Sequence, residues 1–329
     1  MNDNPTLKFS IIIPAYNRAN YVRKAVLSCL NQGYERETLE IIVVKNFLDT
    51  DLEEWLKQRS VLYINSGHIG LVDKLIEGIS ISNGDIICLL EDDDEFVPNK
   101  LNTLNKCFKE FTNVACIHNN FEYIEEKGYT IGKVYLKHRK NFMQAIFLKD
   151  EKQKLSFIKH KDIYHNLSCW SFRRNYGILM LKDMMGLIYN IDFLLYIEVI
   201  EQNIEMLILP EKLTIYRRHD SATMLEGNFK KIINFFESSI YSLEIIKSKV
   251  FTDKLRNFII SNIDIEQFKI NIIVRRSIQI SDIKKSFKTA LYPTYVKKEL
   301  YPFLFLYLAL ALFRQMRKDL YFSHAYILG

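Results

Sequence analysis

Three apolar runs in the first ninety residues constrain the fold more than any other feature of the chain. Residues 9–14 (FSIIIP), 39–44 (LEIIVV) and 85–90 (DIICLL) each have the composition of a buried β-strand. Segments with helical spacing lie between them. One covers residues 21–31, and another begins after Gly70 and ends near residue 83. Continuous apolar strands that alternate with helices are typical of a parallel sheet covered on both faces, so we predict an α/β fold.

Polar clusters follow these three strands at the points where they end. They are residues 15–18 (AYNR), 45–46 (KN) and 91–95 (EDDDE). Ligands of parallel α/β sheets bind beyond the carboxyl ends of the strands. We therefore expect the three clusters to share one edge of the sheet.

The acidic cluster contains four consecutive carboxylates, Glu91-Asp92-Asp93-Asp94. Packed after a buried strand they repel one another and favour a cation. Mg²⁺ and Mn²⁺ prefer carboxylate oxygens and share them with substrate phosphates. The alternative is an acidic helix N-terminus, where carboxylates interact favourably with the helix dipole. The position after a strand favours the cation site.

Together, residues 9–32, 39–44 and 82–101 resemble the family-2 glycosyltransferases of the GT-A fold. Strands of that family end in P-x-Y-N and in a D-x-D-D element followed by Pro and Leu, and Pro98 and Leu101 stand in register here. The resemblance covers about residues 8–222. It implies a Rossmann-like, mostly parallel sheet with helices on both faces, and metal-assisted, inverting transfer of a sugar from a nucleotide-diphosphate sugar.

The resemblance also implies roles for residues at the sheet edge. Asp93 would bind Mn²⁺ or Mg²⁺ at the donor's diphosphate, and His219, in the Y-R-x-H-x-x-S element, would complete the metal site. Arg217 would face phosphate. The remaining donor contacts would come from Pro14, Ala15, Tyr16, Asn17, Glu91 and Asp92, with Tyr16 against the base.

Two departures from the family pattern concern the nucleotide. The usual acidic pair after the second strand is Lys45-Asn46 here. Asn46 keeps both a donor and an acceptor for a base edge. Lys45 would face phosphate or bulk water. Lys74 lies one position from the family's helix arginine and either replaces it at the nucleotide or is an exposed helix lysine.

An inverting transfer needs a carboxylate that takes the proton of the acceptor hydroxyl. By the resemblance this base is Asp192, with Asp183 in reserve and a helix N-cap as the alternative role. A buried Asp192 should have a raised pKa. Trp170 would line the acceptor site or, equally, be a buried core residue.

We place a catalytic domain at residues 1–224 and a helical, basic region at 225–329. Residues 301–313 (YPFLFLYLALALF) carry no charge and are flanked by lysines and arginines. As a helix they span about 20 Å, short of the roughly 30 Å bilayer core. Segment 297–318 therefore favours peripheral membrane association, with packing on the catalytic domain or a homodimer contact as alternatives.

The remaining features limit the class of protein and its compartment. The five cysteines form no C-x-x-C pair, which favours a reducing compartment over a structural zinc site. The N-terminus lacks a signal-peptide pattern, so we expect a cytoplasmic protein, and segment 297–318 would place it at the cytoplasmic face of a membrane. The family resemblance implies a glycan or lipid-linked acceptor.

Three other functions are weaker. One is a non-catalytic, membrane-associated partner with a degenerate nucleotide site. A nucleotidyltransferase would need a Gly-rich, basic loop after the first strand, and PAYN is not one. Nucleic-acid binding is disfavoured because the C-terminal aromatics are not interleaved with basic residues.

Overall fold

The structure is a computed structural model that describes residues 6–125, 145–158, 160, 163–218 and 229–273. The chain divides into two compact units, Met1–Gly186 with Ile191–His219, and Leu187–Asn190 with Asp220–Gly329. The expected boundary at 224/225 and segment 297–318 lie outside the described residues.

The first unit contains every strand in the described part of the chain. The strands are β1 (Phe9–Ala15), β2 (Leu39–Lys45), β3 (Leu62–Asn65), β4 (Ile86–Leu89), β5 (Glu95–Phe96), β6 (Cys116–Glu125), β7 (Ile146–Leu148), β8 (Trp170–Arg173) and β9 (Met206–Arg218). Its α-helices are α1 (Ala19–Leu30), α2 (Thr50–Lys57), α3 (Leu71–Ile81), α4 (Lys100–Glu110), α5 (Glu151–Phe157), α6 (Arg174–Met184) and α7 (Ile191–Glu201).

The described strands form one sheet in the order β3-β2-β1-β4-β8-β6-β9-β5, with β7 on β9. Neighbours from β3 to β4 are all parallel. From β8 onward the sheet is mixed, because β8 is antiparallel to both β4 and β6 while β9 is parallel to β6. The predicted α/β class is confirmed.

Close packing of α3 and β4 on β1 depends on two glycines. A Cβ atom on Gly78 would lie 2.4 Å from Cγ2 of Ile12, and one on Gly84 would lie 2.6 Å from the backbone nitrogen of Ser10. The missing side chains let α3 approach the sheet directly. This brings the polar side chain of Lys74, four residues before Gly78, to the end of β1.

In the second half of the unit, two short apolar runs belong to one strand. Residues 206–209 and 213–216 read as two strands but belong to the single strand β9. The pairing with β6 skips Pro210 and Glu211, because Asn119 pairs with Leu209 and the next residue of β6 pairs with Lys212. This irregularity accommodates the proline, whose missing N–H cannot join the ladder.

The second unit contains α8 (Phe229–Lys249) and α9 (Asp253–Ile273) in its described part. The hydroxyl of Ser242 on α8 accepts hydrogen bonds from the backbone N–H groups of Ile188 and Tyr189, each over 3.0 Å. None of the helices in the described residues has an apolar stretch long enough to span a bilayer.

Candidate functional site

The carboxyl ends of β1, β2 and β4 meet at one edge of the sheet because these strands are parallel neighbours. The backbone N–H of Tyr16, directly after β1, donates to Oδ2 of Asp92 over 2.8 Å. Asn17 has a φ of +47°, so the chain turns at once. The polar segment after β1 and the acidic run are thus in direct contact.

The four residues expected to contact the nucleotide from the end of β1 differ in exposure. Pro14 and Ala15 are buried within β1, whereas Tyr16 and Asn17 are exposed. Tyr16 is 51% exposed, so an aromatic face is open to a ligand at this edge. Because the side chains of Pro14 and Ala15 are buried, only their backbone can contact a ligand at this edge.

Arg18 binds two carboxylates of the acidic run at once. Its Nη1 lies 2.7 Å from Oδ2 of Asp93, its Nε lies 3.3 Å from Oδ2 of Asp92, and its Nη2 pairs with the other oxygen of Asp92. Asp92 is almost fully buried, whereas the side chain of Asp93 is 16% exposed. Asp93 is therefore the more accessible member of the pair.

The other residues of the run form hydrogen bonds to β9 and to the segment before β8. Asp94 accepts from the hydroxyl of Ser168 over 2.6 Å and from the backbone N–H of Arg217 over 3.0 Å. The backbone N–H of Glu91 donates to the same hydroxyl over 3.0 Å. The guanidinium of Arg217 donates to the Asp93 carbonyl and pairs with Glu95, so Arg217 faces the acidic run and not open solvent.

Negative charge exceeds positive charge in this cluster. Burial and the neighbouring carboxylates raise the pKa of Glu91 well above its usual value. Burial and the charge of Asp93 raise the pKa of Asp94 to about 7. Burial raises the pKa of Asp92 to about 6, although Arg18 and the Tyr16 N–H act in the opposite direction.

Buried, crowded carboxylates of this kind could contact a divalent cation. Within the described residues, no three His, Cys, Asp or Glu side chains converge as a complete ligand set. A cation shared with a diphosphate needs only one or two protein carboxylates, and Asp93 is accessible for that role. The other expected ligand, His219, lies outside the described residues.

Asp192 lies in the first turn of α7 and is paired with a histidine that the sequence did not indicate. Its Oδ2 is 3.4 Å from Nδ1 of His165, and its Oδ1 accepts from the N–H of Phe193 over 2.8 Å. The charge of Asp192 contributes to the raised pKa of Glu91, so the two carboxylates share one electrostatic environment.

The expected raised pKa of Asp192 is wrong. Burial alone would raise it, but the hydrogen bond and charge of His165 and two backbone N–H groups outweigh burial and lower the pKa of Asp192. Asp192 is therefore ionised at neutral pH. A lone His in a sequence carries no motif, which is why His165 could be found only in the folded chain.

The two lysines near the end of β2 have separate partners. Lys45 is buried, and its Nζ donates to Oε1 of Glu53 over 2.6 Å and to the carbonyl of Phe47 over 2.7 Å. Neither alternative for Lys45 from the sequence, phosphate or bulk water, matches this ion pair. Lys74 is 2% exposed and hydrogen-bonded to Asn46, so an exposed helix lysine is also excluded.

Trp170 is a core residue in the structure. It is 1% exposed, and its indole N–H donates to the carbonyl of Tyr164 over 2.9 Å. Its ring also meets that of His118 edge-on, with 5.4 Å between ring centres. Of the two roles left open by the sequence, the structure favours the buried one, and Trp170 presents no face to an acceptor.

Comparison with solved structures identifies the fold. The chain is similar to residues 1–349 of S. aureus TarS in complex with UDP, with a TM-score of 0.56 and 15% identity. The match covers 92% of this chain and 87% of that 1–349 chain. The fold is that of the GT-A glycosyltransferases.

Sequence comparison then identifies the family. Residues 10–176, just over half of the chain, match the model of glycosyl transferase family 2. This chain belongs to that family.

Curated relatives share only part of their length with this chain. An uncharacterized glycosyltransferase of Rickettsia bellii is 34% identical over 125 residues, which are 37% of this chain and 18% of that protein. Glycosyltransferase GlyA of Streptococcus pneumoniae is 28% identical over 126 residues, again 37% of this chain and 18% of the relative. The matched region therefore spans less than a fifth of each of these two relatives.

Proposed function

We propose that this chain transfers a sugar from a nucleotide-diphosphate sugar to a hydroxyl of a glycan or lipid-linked acceptor, with inversion. One observation carries the proposal. The exposed Tyr16 ring, Asn46 and the acidic run meet at the carboxyl edge of the sheet, and Asp192 lies within the electrostatic reach of Glu91. The complex of S. aureus TarS with UDP, on the same fold, supports a nucleotide donor.

The donor would bind with its base beside Tyr16 and its diphosphate at the acidic run. Bound at Asp93, Mn²⁺ or Mg²⁺ would supply positive charge for the leaving diphosphate. Excess negative charge and the exposure of Asp93 support this placement. The resemblance in sequence supports His219 as a second ligand. Arg18 holds Asp92 and Asp93 together and limits their repulsion.

Asp192 would act as the general base. Its ionised carboxylate takes the proton from the acceptor hydroxyl while the hydroxyl oxygen bonds to the anomeric carbon. The bond from that carbon to the diphosphate oxygen breaks on the opposite face, and the nucleoside diphosphate leaves. His165 orients the carboxylate through the 3.4 Å contact and keeps it ionised before the transfer.

A donor panel tests the function directly. Thermal stabilisation by nucleoside diphosphates and nucleotide sugars should be largest for one base and should require Mn²⁺ or Mg²⁺. The preferred nucleotide sugar should then release its diphosphate when acceptor is present. Absence of stabilisation by every nucleotide would contradict the proposal. Stabilisation without any release would instead support the non-catalytic, nucleotide-binding alternative.

Peripheral membrane association through segment 297–318 is a separate proposal that rests on the sequence. The apolar stretch 301–313 lies between Lys297-Lys298 and a basic group formed by Arg314, Arg317 and Lys318. The full chain should float with anionic liposomes, and changing the three basic residues of that group to Gln should reduce flotation. Unchanged flotation, or a concentration-dependent dimer without flotation, would contradict the membrane role.

A further inference from the structure

Lys74, a buried residue of α3, forms hydrogen bonds to the end of β1 and to the residue after β2. Its Nζ donates to the carbonyl of Ala15 over 2.8 Å and to Oδ1 of Asn46 over 2.7 Å. It also lies 5.2 Å from the centre of the Tyr16 ring. A buried lysine needs such acceptors, because an unpaired charge in the interior is strongly unfavourable.

This contact determines which way the amide of Asn46 points. A lysine ammonium group has only donors, so the oxygen of Asn46, and not its nitrogen, must face Lys74. Nδ2 of Asn46 then carries two N–H groups that point away from Lys74. Within the described residues, Nδ2 donates to no protein acceptor. Lys45 does not compete, because its Nζ is bound to Glu53 and Phe47.

Asn46 and Tyr16 lie at the same edge of the sheet, and Lys74 contacts both. Lys45, the last residue of β2, pairs with Ala15, the last residue of β1, so the residues that follow each strand are neighbours at the edge. Tyr16 is exposed and Asn46 is half-buried. A planar base beside the Tyr16 ring would therefore present its polar edge to the N–H groups of Asn46.

On the basis of the proposed function, we propose that Lys74 makes Asn46 a hydrogen-bond donor toward the nucleotide base, and that this pair sets the base preference. A hydrogen-bond donor in the site favours a base whose facing atom is a hydrogen-bond acceptor. Cytosine presents two adjacent acceptors, O2 and N3, where uracil presents O2 and an N3–H. The N3–H of uracil would face the N–H groups of Asn46 without a partner, whereas a carboxylate at position 46 would accept it.

The size of the effect follows from the cost of a mismatched polar pair. A site built to hydrogen-bond its ligand rejects the mismatched analogue by factors of about ten or more, because the groups of the site are left unpaired. We therefore expect Asn46→Asp to change the ratio of the dissociation constants for CDP and UDP by about tenfold or more. The change should favour UDP.

The test is calorimetric titration of the full chain with CDP and UDP at pH 7 and constant Mn²⁺. Asn102→Asp is the matched control, because Asn102 is exposed on α4 and its amide makes only a 3.5 Å contact with the carbonyl of Gly33. The control should keep the wild-type ratio of the two constants. An identical ratio in wild type, Asn46→Asp and Asn102→Asp would overturn the inference.

A second variant tests the role of Lys74 without adding charge at position 46. Lys74→Met keeps the length of the buried stem but removes the donor that orients the amide. Asn46 can then turn its oxygen to the base, so the preference between CDP and UDP should shrink toward equal affinity. A full wild-type preference in Lys74→Met would also overturn the inference. If the wild type binds no nucleoside diphosphate, the proposed function itself fails. If it binds CDP and UDP but the variants keep the wild-type ratio of the two dissociation constants, only the role of Lys74 and Asn46 in base selection is rejected.

Discussion

In the parallel half of the sheet, β3-β2-β1-β4, the side chains of the site directly follow the ends of strands. In the mixed half, formed by β8, β6 and β9, they come from a helix, a loop and the end of a strand. Each half contains a carboxylate paired with a cationic side chain or a histidine, Asp93 with Arg18 and Asp192 with His165.

These two pairs differ in strength and exposure. Arg18 binds Asp92 and Asp93 through three nitrogen atoms and is a permanent charge. His165 makes a single 3.4 Å contact with Asp192 and is half exposed. The comparison teaches that the parallel half, which we propose binds the sugar donor, holds two carboxylates together through Arg18. The mixed half, which we propose binds the acceptor, leaves the Asp192 carboxylate with one histidine partner and 25% exposed. The predictions below test this division of roles.

The largest effect is expected for Asp192→Asn. An amide cannot take the proton of the acceptor, so transfer should fall by about 10²–10⁴-fold, while donor binding in the other half of the sheet stays the same. Steady-state transfer rates and calorimetric donor binding check the two parts. Asp183→Asn, the same change in α6, is the control. Normal turnover in Asp192→Asn combined with loss in Asp183→Asn would move the base to Asp183.

A smaller effect, on binding, is expected for Asp93→Asn. Loss of one anionic ligand should weaken Mn²⁺-dependent binding of a nucleoside diphosphate by about tenfold or more, or ~1.4 kcal/mol. Titration with and without Mn²⁺ measures this directly. Asp51→Asn, an exposed change on α2, should bind as wild type does. Unchanged Mn²⁺-dependent affinity in Asp93→Asn would reject Asp93 as a metal ligand.

A pH profile separates the positioning role of His165 from a structural one. His165 lowers the pKa of Asp192, so its removal in His165→Gln should raise that pKa. Because transfer needs ionised Asp192, the acid limb of the rate profile should move to higher pH. Donor affinity should not change. An acid limb that stays in place would show that His165 does not act on Asp192 during transfer.

The smallest effect concerns stability of the metal-free protein. Burial and the charge of Asp93 raise the pKa of Asp94 to about 7 in the folded state. At intermediate pH the folded chain keeps a proton that the unfolded chain has lost, so this stabilisation is full at low pH and is lost as the pH rises through about 7. The melting temperature should therefore fall by about a few degrees between pH 5 and pH 8.

Asp94→Asn and added metal test the origin of that trend. The variant cannot ionise at position 94, so its melting temperature should depend less on pH than that of wild type. Mn²⁺ should stabilise wild type more at pH 8 than at pH 5, because protons compete with metal for carboxylates. Equal pH dependence in wild type and Asp94→Asn would show that the excess charge resides elsewhere.

How much could be predicted differs between the same two halves. The strands β1, β2 and β4 were predicted because buried parallel strands are continuous apolar runs. In contrast, β6 and β8 were missed. Strand β6 carries His118, Asn119 and Asn120 in its interior, and β8 is four residues long, so neither shows a clear apolar period. Residues 179–203 follow one helical pattern in the sequence, but the chain turns at Gly186, with a φ of +81°, between the end of α6 and the start of α7.

The sequence by itself determined where the acidic run lies, because local periodicity places Glu91–Asp94 after a buried strand and parallel strands end at a common edge. Only the tertiary structure decided which groups face these carboxylates and how. The Arg18–Asp92 pair spans 74 positions, and the Lys74–Asn46 contact spans 28. Such contacts depend on how α3, α7 and the sheet pack, and no local pattern encodes that packing. Packing therefore made Asp192 ionised and turned Asn46 into a donor.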